Sequence, residues 1–140
     1  MQKHLAIFSP NVINAIISGK KTIDSRFSKN RIAPFLQVEA GDLVYVKAPG
    51  EDINAQFRVK KVLYFEAFEK EDFDQIVAMY WSKIGWNDEK DETRFKKEKK
   101  EGSRYATLIW MDEVEQFIVP PVRIRKSDNR AWVVLKNETN

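Results

Sequence analysis

Within eight residues, Gly19-Lys20-Lys21-Thr22-Ile23-Asp24-Ser25-Arg26, the chain sets two ammonium groups, a hydroxyl, a carboxylate and a guanidinium close together. A lysine drawn out of water gives up its proton more readily and can then serve as a base. An arginine makes a forked contact with a phosphate or with the carbonyl edge of a nucleobase. Asp24 can pair with Arg26 or accept hydrogen bonds from an exocyclic amine. The same three groups, Lys21, Asp24 and Arg26, also suit a plain salt-bridge cluster that holds nothing.

Two elements must position these groups. Ser9-Pro10 reads as a helix N-cap with proline at the first helical position. Val12, Ile13, Ile16 and Ile17 then share one helical face, and Gly19 supplies the left-handed residue that ends the helix. From Thr22 to Phe27 the pattern is that of a strand, with Ile23 and Phe27 on one side and Thr22, Asp24 and Arg26 on the other. A tight helix-to-strand junction thus aims a row of polar side chains outward. Lysines after a helix also meet the negative end of its dipole, and antiparallel strands commonly turn a polar face to water, so this arrangement needs no ligand to explain it.

Gly19, Lys21 and Arg26 match the signature G-x-K-x-x-E-x-R of the ASCH family, a branch of the PUA-like superfamily, with Asp24 where that family usually has Glu. The chain resembles the family further in Ser9-Pro10, in Asn30-Arg31-Ile32-Ala33-Pro34 and in Gly41-Asp42-Leu43-Val44-Tyr45-Val46-Lys47. The closing Asn129-Arg130-Ala131-Trp132-Val133-Val134-Leu135 extends the likeness over nearly the whole chain. The resemblance implies one α+β domain spanning residues 1–140, a small mixed or antiparallel PUA-like β-barrel with flanking helices, one of them plugging a mouth. It implies either binding of RNA, a nucleotide or a modified nucleobase, or hydrolysis. The hydrolytic branch takes the acetyl group from N4-acetylcytidine with a lysine, a threonine three residues on and a distant glutamate. Lys21 matches that lysine, but Asp24 occupies the threonine position. Thr22 follows Lys21 directly and points elsewhere. Glu66, Glu69 and Glu71 are candidates for the glutamate, with no spacing to choose among them. Some relatives cut RNA without metal, which would again draw on Lys21, Arg26 and a hydroxyl.

Along the chain the pattern is mostly β. Strands are expected at Lys3–Phe8, Leu43–Lys47 and Ala55–Phe65, the last with a bulge at Val62-Leu63. Further strands are expected over Arg104–Met111, Glu115–Val119, Val122–Lys126 and Ala131–Leu135. A second helix begins near Glu71 and turns Phe73, Ile76, Val77 and Tyr80 inward. The stretch from Asn87 to Arg104 is dense in charge of both signs, with Phe95 nearly its only apolar residue. It reads as a solvated helix or an insertion, since a nucleic-acid tail is normally of one sign. Many short strands and few helices argue for a closed or nearly closed sheet.

Composition narrows the classes. The 140 residues carry 43% hydrophobic side chains, suited to one domain with a true core. No apolar run approaches the ~20 residues of a membrane helix, and the N-terminal stretch lacks a signal peptide's apolar segment. With no cysteine, a cytoplasmic location is the simpler expectation. One histidine, His4, and no cysteine argue against zinc and against a Ser-His-Asp triad. No glycine-rich phosphate loop is present, so neither metal nor cofactor is expected. A net charge of +3 leans weakly toward anionic partners. Of the tryptophans, Trp110 and Trp132 suit the barrel core and Trp81 the underside of the second helix, while Trp86 suits a lid.

The resulting expectation is a cleft beside the signature strand for RNA, a nucleotide or a modified nucleoside. Arg26 is its anion or base clamp, Lys21 the second cation and Asp24 the orienting carboxylate. Ser9, Lys47 and Arg130 stand at the rim, and Thr22 is a further candidate for ligand binding. Read as a hydrolase, the same site works through Lys21 and Asp24.

Overall fold

The computed structural model describes residues 1–85, 89–125 and 128–135. Its element order is β1 (Lys3–Ile7), α1 (Pro10–Ile17), β2 (Ile23–Ser28), β3 (Leu43–Lys47), β4 (Ala55–Glu66), α2 (Lys70–Ile84), α3 (Glu89–Lys99), β5 (Tyr105–Gln116) and β6 (Trp132–Leu135). The strands form one six-stranded sheet in the order β2-β5-β4-β3-β1-β6. Only β1 and β3 run parallel; the other neighbours are antiparallel. The result is the mixed α+β half-barrel with flanking helices that the PUA-like resemblance implies.

Local chemistry accounts for the helix starts and stops. The Ser9 hydroxyl accepts from the Val12 amide, Pro10 follows, and Gly19 takes φ +79° after the last turn of α1. Ile13, Ala15 and Ile16 are buried, and the two isoleucines fill the hollow of the sheet against Val44, Val46, Phe57, Val59, Ile109 and Trp132. Helix α2 opens on a capping box between Glu69 and Asp72, one residue earlier than the Glu71 start expected. Its Phe73, Ile76 and Val77 are buried against Ile23, Ala106 and Leu108 on the other side of β2 and β5. Tyr80 meets Trp110 edge-on at 5.5 Å. The sheet is therefore covered on both faces beside β2, which is why Ile23 and Asp24 are both buried though they point opposite ways.

Three expectations need correction. The β4 irregularities fall between Gln56 and Arg58 and between Val59 and Lys61, not at Val62-Leu63. Lys60 and Lys61 are both exposed, so the lysine pair is where alternation breaks. The separate strand over Glu115–Val119 is absent: β5 runs unbroken from Tyr105 to Gln116. Past it Phe117 still packs against the Leu5–Leu43–Tyr45–Ile53 cluster, but Ile118 is fully exposed and Val119 mostly so, and Pro120-Pro121 have no amide hydrogens for a ladder. Residues 122–125 are irregular, and Lys126 lies outside the described residues, as does Trp86.

Candidate functional site

The polar face of β2 looks into a cleft of about 350 Å³ whose walls come from five elements, β1, α1, β2, α2 and α3. Lys21, Asp24 and Arg26 line it together with Ser9, and Phe8 comes from the end of β1. Helix α2 contributes Trp81 and Ile84, followed by Gly85, and α3 contributes Arg94, Phe95, Glu98 and Lys99.

Lys21 is 5% exposed. Its amide donates to Ala15 O (3.1 Å), and its Nζ donates to Ile84 O (2.5 Å), while the Thr22 amide donates to Lys83 O (3.0 Å). The C-terminal ends of α1 and α2 therefore converge on this lysine, the favourable end of a helix for a cation. Burial lowers its pKa from 10.5 to about 8, the nearby Asp24 carboxylate pulling it up and the Arg26 guanidinium pushing it down.

Asp24 is buried and accepts from Arg26 Nε at 2.8 Å, the i,i+2 pairing that places both on one face of a strand. Two aromatic rings lie against the guanidinium: its carbon is 4.7 Å from the Phe8 ring centre and 5.1 Å from that of Trp132. Its terminal nitrogens reach toward Ile7 O and Ala131 O, each at 3.5 Å. Arg26 thus bridges the open side of the half-barrel, from the β2 edge to β1 and β6.

Trp132 is itself fixed by a buried network. Its indole N–H donates to His4 Nδ1 (3.2 Å), which leaves the histidine proton on Nε2, donated to Asp42 Oδ2 (2.8 Å). The Asp42 carboxylate also accepts from the Gln2 and Glu39 amides, both at 3.0 Å. Burial pushes its pKa up, and these three donors outweigh that and hold it below the usual 3.8. His4 is completely buried, with both ring nitrogens engaged. It orients the aromatic wall behind Arg26, a task that its place at the head of a strand did not suggest.

The remaining rim candidates separate. Ser9 lines the cleft from the N-cap of α1. Arg130 lines a second cleft, also about 350 Å³, that meets the first at Ser25, Arg26 and Lys99. Thr22 is exposed, and neither it nor Lys47 is among the residues lining either cleft. Glu66 and Glu69 pair instead with Arg31 and Arg104, and Glu71 sits in the first turn of α2. The glutamate that does line the first cleft is Glu98, on the charged stretch expected to be merely solvated. Phe95 ties that stretch down, packing within 5.3–6.3 Å of Phe27, Phe73 and Trp81. Its lone apolar position in a charged run was the signal available. Among the described residues no group of three or more His, Asp and Glu side chains is arranged to hold a metal ion, and no helix is long and apolar enough to cross a membrane.

No protein-family model and no curated protein sequence matches the chain. Solved structures do. The ASCH protein of Zymomonas mobilis superposes with a TM-score of 0.66 at 15% identity, covering 98% of this chain and 90% of that one. A single-residue variant of it gives 0.70 at 16% identity over the same shares. A hypothetical protein superposes at 0.53 with 18% identity, over 80% of this chain and 98% of its own. The chain has the ASCH fold.

Proposed function

We propose that this ASCH fold holds one nucleobase, of RNA or of a free or modified nucleoside, in the cleft between β2, α2 and α3. The observation that carries the reading is the ion pair of buried Asp24 with half-buried Arg26, facing the cleft beside the Phe8 and Trp132 rings, with Lys21 next to it. Asp24 offers an acceptor to an exocyclic amine, and the outer N–H groups of Arg26 offer donors to a ring carbonyl. Trp81 and Phe95 supply flat apolar surface for a base, where stacking contributes ~1–3 kcal/mol. The volume sits at the small end of the ~300–1,000 Å³ usual for ligand sites, which suits one base with its sugar. Titrating the four ribonucleosides and N4-acetylcytidine while following tryptophan fluorescence tests it. Saturable quenching is expected, reduced at least about tenfold in affinity by Arg26→Ala. Equal affinity in that variant, shown folded, defeats the proposed role of Arg26.

A second reading rests on Lys21. A buried amine with a pKa near 8 is a fair base at neutral pH and above. It would take a proton from water as the oxygen adds to an acyl carbon, and return it to the departing amine nitrogen. The products from N4-acetylcytidine are acetate and cytidine. Release of cytidine by the wild type, absent in Lys21→Ala, is the result that favours hydrolysis over binding alone.

A further inference from the structure

We propose that His4 is a proton-operated catch on the aromatic wall behind Arg26. When its ring takes up a second proton, Trp132 loses its anchor and the grip of the cleft on a ligand weakens. The effect on a ligand rests on the nucleobase reading of the cleft; the movement of Trp132 does not.

The His4 ring is completely buried, and its two nitrogens play opposite parts. Nε2 donates to Asp42 Oδ2 at 2.8 Å, while Nδ1 accepts from the Trp132 indole at 3.2 Å. A neutral imidazole satisfies both partners, since it carries one donor and one acceptor, whereas an imidazolium carries two donors. The indole N–H can only donate. A second proton therefore sets two donors against each other, yet leaves the contact to Asp42 in place and strengthens it with charge. Trp132 is the partner that must give way. Its strand allows this, because β6 has four residues and lies at the edge of the sheet, paired with β1. The Trp132 ring centre is 5.1 Å from the Arg26 guanidinium carbon, so its displacement is felt in the cleft.

The ionisable groups around this network leave His4 as its switch. Asp42, ahead of β3, is held below its usual 3.8 by its donors, and burial raises Tyr64 of β4 above 10.0. The exposed Glu39 reaches the network through its amide, which donates to Asp42. Arg26 of β2 keeps its charge at any ordinary pH. Lys21, at about 8, stays charged below neutrality. A histidine is the side chain that ordinarily changes charge between about pH 5 and 8.

His4 is the one histidine of the chain, so the magnetic resonance of isotope-labelled ring nitrogens reports its protonation directly. The ligand-free protein is taken from about pH 7 to about pH 5. His4 is expected to become imidazolium, and the Trp132 indole N–H, identified by its loss in Trp132→Phe, to lose protection from solvent exchange with the same midpoint. His4→Gln keeps an acceptor and a donor side by side without titrating, and there the indole should stay protected. For the nucleoside that binds best, affinity should fall about fivefold or more over the same range in wild type and hold in His4→Gln. A His4 that stays neutral, or that charges while the indole stays protected, overturns the proposal; the wild-type titration decides this even if the glutamine variant does not fold. Deprotection with unchanged nucleoside affinity overturns the coupling to the cleft. Failure of every nucleoside to bind defeats the nucleobase reading instead, and the ligand-free titration then decides the catch by itself.

Discussion

At the scale of single residues, the site is built from groups whose first duty is structural. Lys21 closes the C-terminal end of α2, Asp24 and Arg26 satisfy each other, and His4 holds Trp132. Lys21 has a measurable cost. Its folded pKa lies below its unfolded one, so burying the charged form opposes folding at low pH, and that penalty fades as pH rises from about 8 to 10.5. The shift corresponds to about 3 kcal/mol. In urea melts across that window, wild type should gain up to this amount relative to Lys21→Met, whose side chain does not titrate. Parallel curves would mean that Lys21 is not desolvated. His4→Ala strands the indole N–H of Trp132 and removes one donor from Asp42, with an expected loss of about 3 kcal/mol in the same melts. The chemistry-bearing residues were legible in the sequence because strand periodicity alone puts Asp24 and Arg26 on one face. The partners of Lys21 and His4 were not: Ile84 lies 63 positions from the one and Asp42 38 from the other, and no local pattern encodes such pairings.

At the scale of elements, the informative case is α3. Its mixed charges suggested a solvated segment, and most of its surface is that, yet the single ring of Phe95 docks it over Phe27 and Trp81 as a wall of the cleft. Phe95→Ser should release the helix while the half-barrel persists. Amide exchange is then expected to quicken over 92–99 but not in β4 or β5, and nucleoside affinity to fall at least about tenfold. Gly85 is the matching constraint on α2. A Cβ there would meet the Trp81 ring at 2.6 Å, so Gly85→Ala must displace the ring, at about 1–3 kcal/mol, and shift its fluorescence. The strands and the first two helices were readable from caps, glycines and apolar spacing. The length of β5 was not, because the chain bulges and continues where its pattern suggested a break.

At the scale of the whole molecule, a net charge of +3 says little, but the way cations gather at the two clefts says more. Because Arg26 is paired with Asp24 and Arg130 with Asp128, the affinity for a neutral nucleoside is expected to change little with salt, and a steep fall in a salt titration would mean that one of these cations meets an anion instead. A nearly closed sheet was foreseeable from the many short strands and frequent turns, although two of the expected strands are absent, whereas its open side, spanned by Arg26, depends on a sheet order in which β2 and β6 are opposite edges. That order has a bearing on timing during synthesis. Arg26 and Ala131 lie 105 positions apart, and the ring of Trp132 joins the stack only with β6. A ribosome-bound chain can pair β4 with β5 and seat α2 before β6 has emerged, but its Arg26 then lacks one of its two flanking rings. The Arg26 site is therefore complete only once β6 has emerged and paired with β1, after the rest of the sheet can already have formed.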